Sequence, residues 1–369
     1  MRVGVPREIK NQEGRVALTP AGAAALAGQG HSVRIEAGAG RAAGLADDAY
    51  QAAGATIVAS AAEAWDAELV VKVKEPLPAE YDLLAGQILF TFLHLAGVDP
   101  ELTRRLLAAG TVAVAYETVR DASGRLPLLA PMSAIAGNMA AAVGCYYLGR
   151  PQGGKGVQLG QVLGRRHGRV LVIGDGVVGR HAARTAYGLG ANVTVAGQKP
   201  ERAAGLRQEI GAGMSFVLSE PETLAREVAV ADLVVGAVLV PGALAPELVS
   251  EAMVASMEPG SVIVDVAIDQ GGSVATSRPT SHSQPIYQVQ GVIHYCVTNM
   301  PGAFPRTATL ALTDATLPCV LRLAAQGRDA LRAPDLAAGV NTFQGRLTCR
   351  AVAEGLDMLA AYQPFPSHG

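Results

Sequence analysis

Short apolar runs and helical stretches alternate along the first third of this chain. MRVGVP opens as a strand, and residues 20–29 read as a helix entered at Thr19, a capping residue followed by Pro20 at the first helical position. HSVRIEA is a second strand, residues 47–53 a short helix, and TIVA and ELVVKVK are further strands. QILFTFLHL is apolar almost throughout, as burial on both faces requires, and TVAVAYETV repeats the pattern. Such alternation predicts βαβ units around a largely parallel sheet.

The alternation restarts near residue 130 with a long Gly/Ala-rich helix. Strands follow at RVLVI, NVTVAG, SFVLS, DLVVGAV, SVIVDVA and GVIHYCV, with helices over 200–210 and 221–228 between them. From about residue 306 the chain reads as helical again, through ATLPCVLRLAAQG and FQGRLTCRAVAEGLDML. A helical piece of that size cannot easily form its own core, so it is expected to return to the first domain. The tail QPFPSHG is expected to be disordered.

RVLVIGDGVVG, at 169–179, joins a strand to a helix through the G-x-G-x-x-G spacing of a dinucleotide-binding loop. Gly174 permits the sharp turn, Gly176 leaves bare backbone for a pyrophosphate, and Gly179 allows close helix–sheet packing. Val177 and Val178 open the helix, whose N–H groups face the phosphates. The predicted fold is therefore α/β, with two Rossmann-like domains and mostly parallel sheets. A nucleotide-binding domain over 130–305 is inserted into a discontinuous substrate domain of 1–129 plus 306–369.

The length of 369 residues fits two domains, and half the residues are hydrophobic. A formal charge of −2 without a Lys/Arg cluster gives no case for nucleic acid. The basic knot Arg165, Arg166, His167 and Arg169 reads as a solvated loop. No window offers the apolar run of about 20 residues that a membrane span requires, the nearest approach being 132–149. The four scattered cysteines read as free thiols in a reducing cytosol, without a metal site.

Three polar residues stand in apolar or glycine-rich surroundings. His94 closes ILFTFLH, where a strand end can meet a substrate or a core histidine can simply be satisfied. Lys74 ends VVKVKEP and can hold an anion, but Lys72 would share its face of a strand, so spacing does not choose between them. Asp269 follows VIVDVAI as a loop carboxylate.

GRVALTP (14–20), KVKEP (72–76), LFTFLHLA (89–96), LPLLAPMS (126–133), VLVPGA (238–243), VDVAIDQGG (264–272) and TNMPGA (298–303) occur in one order. Together with the glycine loop they closely resemble the alanine dehydrogenase family, which is related to the nucleotide-binding subunit of transhydrogenase. The resemblance covers essentially the whole chain. It implies that Arg15 and Lys74 hold the oxygens of a 2-oxo acid, with His94 as general acid/base and Asp269 as an assisting carboxylate. Met132 and Asn299 complete the substrate pocket. Cofactor contacts are implied for Ser133, Ser219, Val238, Leu239, Ile268, Asp269, Asn299 and Met300. The implied activity is reversible oxidative deamination of L-alanine with NAD or NADP. The implied setting is a cytoplasmic homo-oligomer, a hexamer or dimers, with no membrane or nucleic-acid partner.

Three departures qualify the resemblance. Where the family has an acid for the adenosine ribose, this chain has Gly197, followed by Gln198, Lys199 and Arg202, which can receive a 2′-phosphate. Asp175 stands inside the glycine loop, where a small neutral residue is usual, and its charge must point away from the pyrophosphate. Ala134 and Asn138 replace a Glu/Arg pair, which reads either as a compensated structural change or as a reshaped pocket. The alternatives are therefore an NADP-using dehydrogenase or reductive aminase for another small amino or 2-oxo acid, and a soluble transhydrogenase subunit.

Overall fold

The computed structural model describes residues 1–239 and 244–366. Two compact units form, Met1–Met132 with Gly302–Gly369, and Ser133–Pro301. The divisions fall at 132/133 and 301/302 rather than at 129/130 and 305/306, the first of them inside the helix Ala130–Tyr147. Residues 240–243 of the VLVPGA segment and 367–369 of the tail lie outside the described residues.

In the first unit eight strands make one sheet, in the spatial order Arg346–Leu347, Val340–Phe343, Val112–Ala115, Ile88–Thr91, Leu69–Val71, Arg2–Val5, Ser32–Glu36 and Thr56–Val58. The six from Val112–Ala115 onward are parallel. The three central apolar runs are buried along their whole length. Leu89, Leu93, Leu102 and Leu106 anchor the core on one face with Trp65. Thr19 caps the helix Pro20–Gly28 by accepting from the Gly22 N–H, as its position predicts.

The C-terminal segment departs from the helical expectation. Val340–Phe343 and Arg346–Leu347 form an antiparallel hairpin turned by Gln344 and Gly345, both at positive φ, and among the described residues beyond it only Arg350–Gly355 is α-helical. Consecutive left-handed residues suit the twist of a two-residue hairpin. Val340–Phe343 then pairs antiparallel with Val112–Ala115. The Thr342 hydroxyl donates to the Thr111 carbonyl (2.8 Å) and accepts from the Ala113 N–H, filling in where the register shifts. The tail is ordered as far as it is described. Phe365 meets Phe343 edge-on at 5.1 Å, and the Gln363 N–H donates to the Leu347 carbonyl.

Among the described residues one helical stretch, 305–332, contains an 18-residue window apolar enough to cross a membrane, with mean hydropathy 1.3; it is this segment and not 132–149. Half of that window is buried. The buried residues of its helix, Pro305–Gln326, include Ala308, Leu312, Thr316, Cys319 and Leu323, a stripe at helical spacing facing the core.

In the second unit the order is Ser215–Leu218, Asn192–Gly197, Arg169–Ile173, Leu233–Gly236, Val262–Asp265, Val292–Tyr295 and Ile286–Val289. All neighbours are parallel except the final pair. Strand order reverses at Arg169–Ile173, flanked by Asn192–Gly197 and Leu233–Gly236, so the glycine loop leaves the sheet at its topological switch point. The basic knot is not a solvated loop. Arg165–His167 pairs with Gly160–Val162, and the Arg166 guanidinium lies 3.8 Å over the Tyr187 ring while donating to the Tyr187 and Ala191 carbonyls.

His294 is buried in Val292–Tyr295, with Nδ1 donating to the Val292 carbonyl (3.0 Å) and Nε2 accepting from the Thr276 hydroxyl (2.7 Å). These partners suit a neutral ring, and burial pushes its pKa below the usual histidine value. The unfolded chain then binds the extra proton first, so stability falls as pH drops through the ordinary histidine range near 6.5. His294→Gln is expected to flatten that part of the stability curve, read from denaturant unfolding at pH values between 7.5 and 5.5.

Candidate active site

The first unit gathers its charged side chains at the C-terminal edge of the parallel strands, where ligands of such sheets bind. Arg7 and Glu8 follow Arg2–Val5, Lys72 and Lys74 follow Leu69–Val71, His94 follows Ile88–Thr91, and Glu117 follows Val112–Ala115. The strand ends at Val71, so the strand alternation invoked for Lys72 and Lys74 does not apply to them.

The structure separates these two lysines. Lys72 is fully buried, with Nζ 2.8 Å from Glu80 and 3.4 Å from Glu8. Burial works against its charge, but the two carboxylates outweigh that and hold the ammonium above the usual lysine range. With two carboxylates sharing one cation, burial pushes Glu8 upward against the pull of Lys72. Glu8 also accepts from the backbone N–H groups of Val73 (2.6 Å) and Lys74 (3.3 Å), which shapes the turn carrying Lys74. Lys72 is thus a buried structural cation, and Lys74 is the half-buried one at the sheet edge.

Arg15 is almost wholly buried and bound by two of its three side-chain nitrogens to Glu13, Nε at 2.7 Å and Nη2 at 2.5 Å. Its Nη1 donates to the Met132 sulfur at 3.0 Å, which brings together two residues predicted to share a pocket. Arg15 also lines a cavity of about 310 Å³ with Arg7, Glu8, Glu13 and Arg41. Lys74 and His94 are not among the lining residues, so this cavity is not where the predicted set meets.

His94 is no core histidine. Its side chain is 44% exposed, its backbone is left-handed (φ 48°), and its ring stacks on Phe92 at 5.6 Å. The Glu117 carboxylate accepts from the backbone N–H groups of Leu93 and His94, and Nδ1 of His94 stands 3.9 Å from it. Neither Glu117 nor Glu13 was singled out in the sequence. For Glu117 the available signal is an acid directly after the apolar strand VAVA; Glu13 has none beyond its nearness to Arg15.

In the second unit two of the loop glycines stand where a side chain would not fit. Gly174 has φ 112°, and a Cβ there would lie 2.6 Å from the Ala237 carbonyl. A Cβ on Gly179 would collide with the Gly174 carbonyl beside Val172. Gly176, by contrast, faces open space, begins the helix Val177–Leu189, and offers no side chain to cap it. A bare helix start with room in front of it fits the pyrophosphate of a dinucleotide.

The remaining predicted cofactor residues surround this edge of the second unit. Val177 and Val178 form the first helical turn, Val238 and Leu239 follow Leu233–Gly236, and Ser219 donates its N–H to the Gly197 carbonyl. Ser133 lies in Ala130–Tyr147, while Gln198 and Lys199 are exposed beyond Asn192–Gly197. Ile268 is buried and Asp269 exposed on the turn Val266–Gln270. That turn is organised by Asp265, missed in the sequence although it interrupts the apolar run VIVDVA. The buried Asp265 carboxylate accepts from the N–H groups of Ala267, Ser273 and Val274 and from the hydroxyls of Ser273 and Ser277. Asn299 is left-handed (φ 59°), accepts from His282 through its carbonyl, and precedes the buried Met300.

Asn138 accepts from Thr185 (2.9 Å) and pairs with His181 (3.3 Å), joining its helix to the one behind the glycine loop. A Cβ on the neighbouring Gly137 would strike the Val178 carbonyl. This contact supports the compensated structural change at 134 and 138.

The N-terminal domain of the alanine dehydrogenase/PNT family matches residues 4–136 and its C-terminal domain residues 140–350. The chain is 52% identical to the alanine dehydrogenase of Halomonas elongata, over 98% of this chain and 99% of that one. It is also 52% identical to that of Bacillus subtilis, over 96% and 95%. A solved L-alanine dehydrogenase superimposes with TM-score 0.92 at 52% identity, covering 97% of this chain and all of that one. A transhydrogenase from Sinorhizobium meliloti follows at 0.80 and 25% identity, covering 95% and 100%. On matches that span both units, this chain belongs to the alanine dehydrogenase/PNT family.

Proposed function

We propose that the chain catalyses the reversible oxidative deamination of L-alanine to pyruvate and ammonium. The observation that carries this reading is the sheet edge of the first unit, where His94 is held by Glu117 and presented beside the Lys74 turn, with Arg15 fixed against Met132. Arg15 and Lys74 supply positive charge for a substrate with little to grip except its oxygens. A bound nicotinamide cofactor supplies the acceptor for the hydride leaving Cα. His94 takes the proton of the water that adds to the resulting imine, and returns a proton to the departing amine. Ammonia leaves as the carbonyl forms, so substrate carbon loses two electrons and gains the water oxygen.

NAD and NADP both suit the glycine loop, and Gly197 removes the family's usual discriminator. NAD is the better reading, because Arg202, the strongest candidate for a 2′-phosphate, is engaged by Asp175. The resemblance further supports a cytoplasmic homo-oligomer, a hexamer or dimers. Purified protein given pyruvate, ammonium and NADH is expected to lose nicotinamide absorbance, and NADPH to react more slowly. No oxidation of either would sink the substrate assignment.

A further inference from the structure

Asp175 and Gly197 are two positions where the nucleotide unit departs from its family's pattern, and the structure places them against each other. A Cβ built on Gly197 would stand 3.3 Å from Oδ2 of Asp175, tighter than an ordinary contact, and 2.9 Å from the Phe216 ring. The Asp175 carboxylate therefore occupies the space into which a side chain at 197 would grow. It is largely sheltered, at 15% exposure, and both its oxygens accept from Arg202, at 3.0 and 3.1 Å. Arg202 itself is 52% exposed. The acid in the glycine loop turns sideways, toward Arg202 and the end of the neighbouring strand Asn192–Gly197.

We infer that Asp175 is the relocated acid of the adenosine ribose site, accepting the ribose hydroxyls from the glycine loop and making the enzyme selective for NAD over NADP. The inference rests on the nucleotide reading of this loop, and adds which residue sets the choice. Gly197 is small because Asp175 needs its space, and two carboxylates there would repel each other. Arg202 is held by the same carboxylate, which orients the acid and keeps the guanidinium from serving as a free phosphate receptor. A 2′-phosphate entering this space meets a carboxylate first. The departure at 197 thus reads as half of an exchange between two positions, and no shift to NADP follows from it.

Calorimetric titration of the full chain with NAD⁺, NADP⁺, ADP and 2′-phosphorylated ADP tests this without turnover. Wild type is expected to bind NAD⁺ at least about tenfold more tightly than NADP⁺, the worth of one charge-assisted hydrogen-bonded contact. Asp175→Ala is expected to weaken NAD⁺ by about tenfold and to strengthen NADP⁺ as Arg202 is released. Asp175→Ala combined with Gly197→Asp returns the acid to the strand end and is expected to restore the NAD⁺ preference, which a damaged loop would not do. Equal wild-type affinities, or equal weakening of both dinucleotides by Asp175→Ala without rescue, overturn the proposal and leave the nucleotide site standing. Failure of wild type to bind any of the four overturns the nucleotide reading and the proposal with it. Neither result depends on alanine being the substrate.

Discussion

His94→Asn is expected to lower kcat for alanine oxidation by about 10²–10⁴-fold, the usual contribution of a positioned acid/base, with little change in Tm. Asparagine is the informative replacement because residue 94 is left-handed, at φ 48° and ψ 39°. Asn tolerates that conformation, whereas Ala would add a backbone cost of about 1–2 kcal/mol and confuse lost chemistry with lost structure. The side chain is 44% exposed and its main packing contact is the Phe92 face, so folding loses little. Glu117 grips the backbone of residue 94 and remains satisfied after the exchange. Steady-state kinetics with calorimetric binding of the cofactor separate the outcomes. A kcat within threefold of wild type would remove His94 from proton transfer, and a lost cofactor affinity would assign it to binding.

Lys72→Met is expected to destabilise the protein by about 3–5 kcal/mol, because it leaves Glu8 and Glu80 buried without their cation. Against a typical total of about 5–15 kcal/mol, that is a large drop in Tm. The deficit should also shrink in acid. Buried carboxylates without a cation have folded-state pKa values above their unfolded ones. The folded variant then binds more protons, and its stability rises as pH falls toward that range. Lys74→Met is the companion, expected to raise KM for pyruvate while leaving Tm nearly unchanged. Denaturant unfolding at pH 7.5 and 5.5 with steady-state kinetics checks both. If the two variants lose stability alike, the assignment of separate roles fails.

That pair also shows what the sequence could and could not carry. Lys72 and Lys74 look alike in VVKVKEP because their difference is made by Glu8 and Glu80, which close on one lysine and shape the turn of the other. The glycine loop was legible from its spacing, and the crowding that demands glycine at Gly174 and Gly179 is set within a few residues or by the adjoining strand. The buried parallel strands announced themselves as unbroken apolar runs. The hairpin at 340–347 did not, because its short strands lie in an Ala-rich stretch and are stabilised by pairing with Val112–Ala115, far away in sequence. The direction of the Asp175 side chain was hidden for the same reason, since it depends on a bare position at 197 and on Arg202.

The late edge strand of the first unit also sets an order of assembly during synthesis. Val340–Phe343 joins, antiparallel, a sheet whose six parallel members have all been made by Ala115, and the helix Pro305–Gln326 supplies part of the same unit's core. Everything between 133 and 301 leaves the ribosome before those pieces exist. The middle of the chain can therefore reach its native state as an independent folding unit while the first 132 residues wait, incomplete, for their closing elements. In the growing polypeptide, the nucleotide unit has all of its own strands before the part that begins the chain has its last.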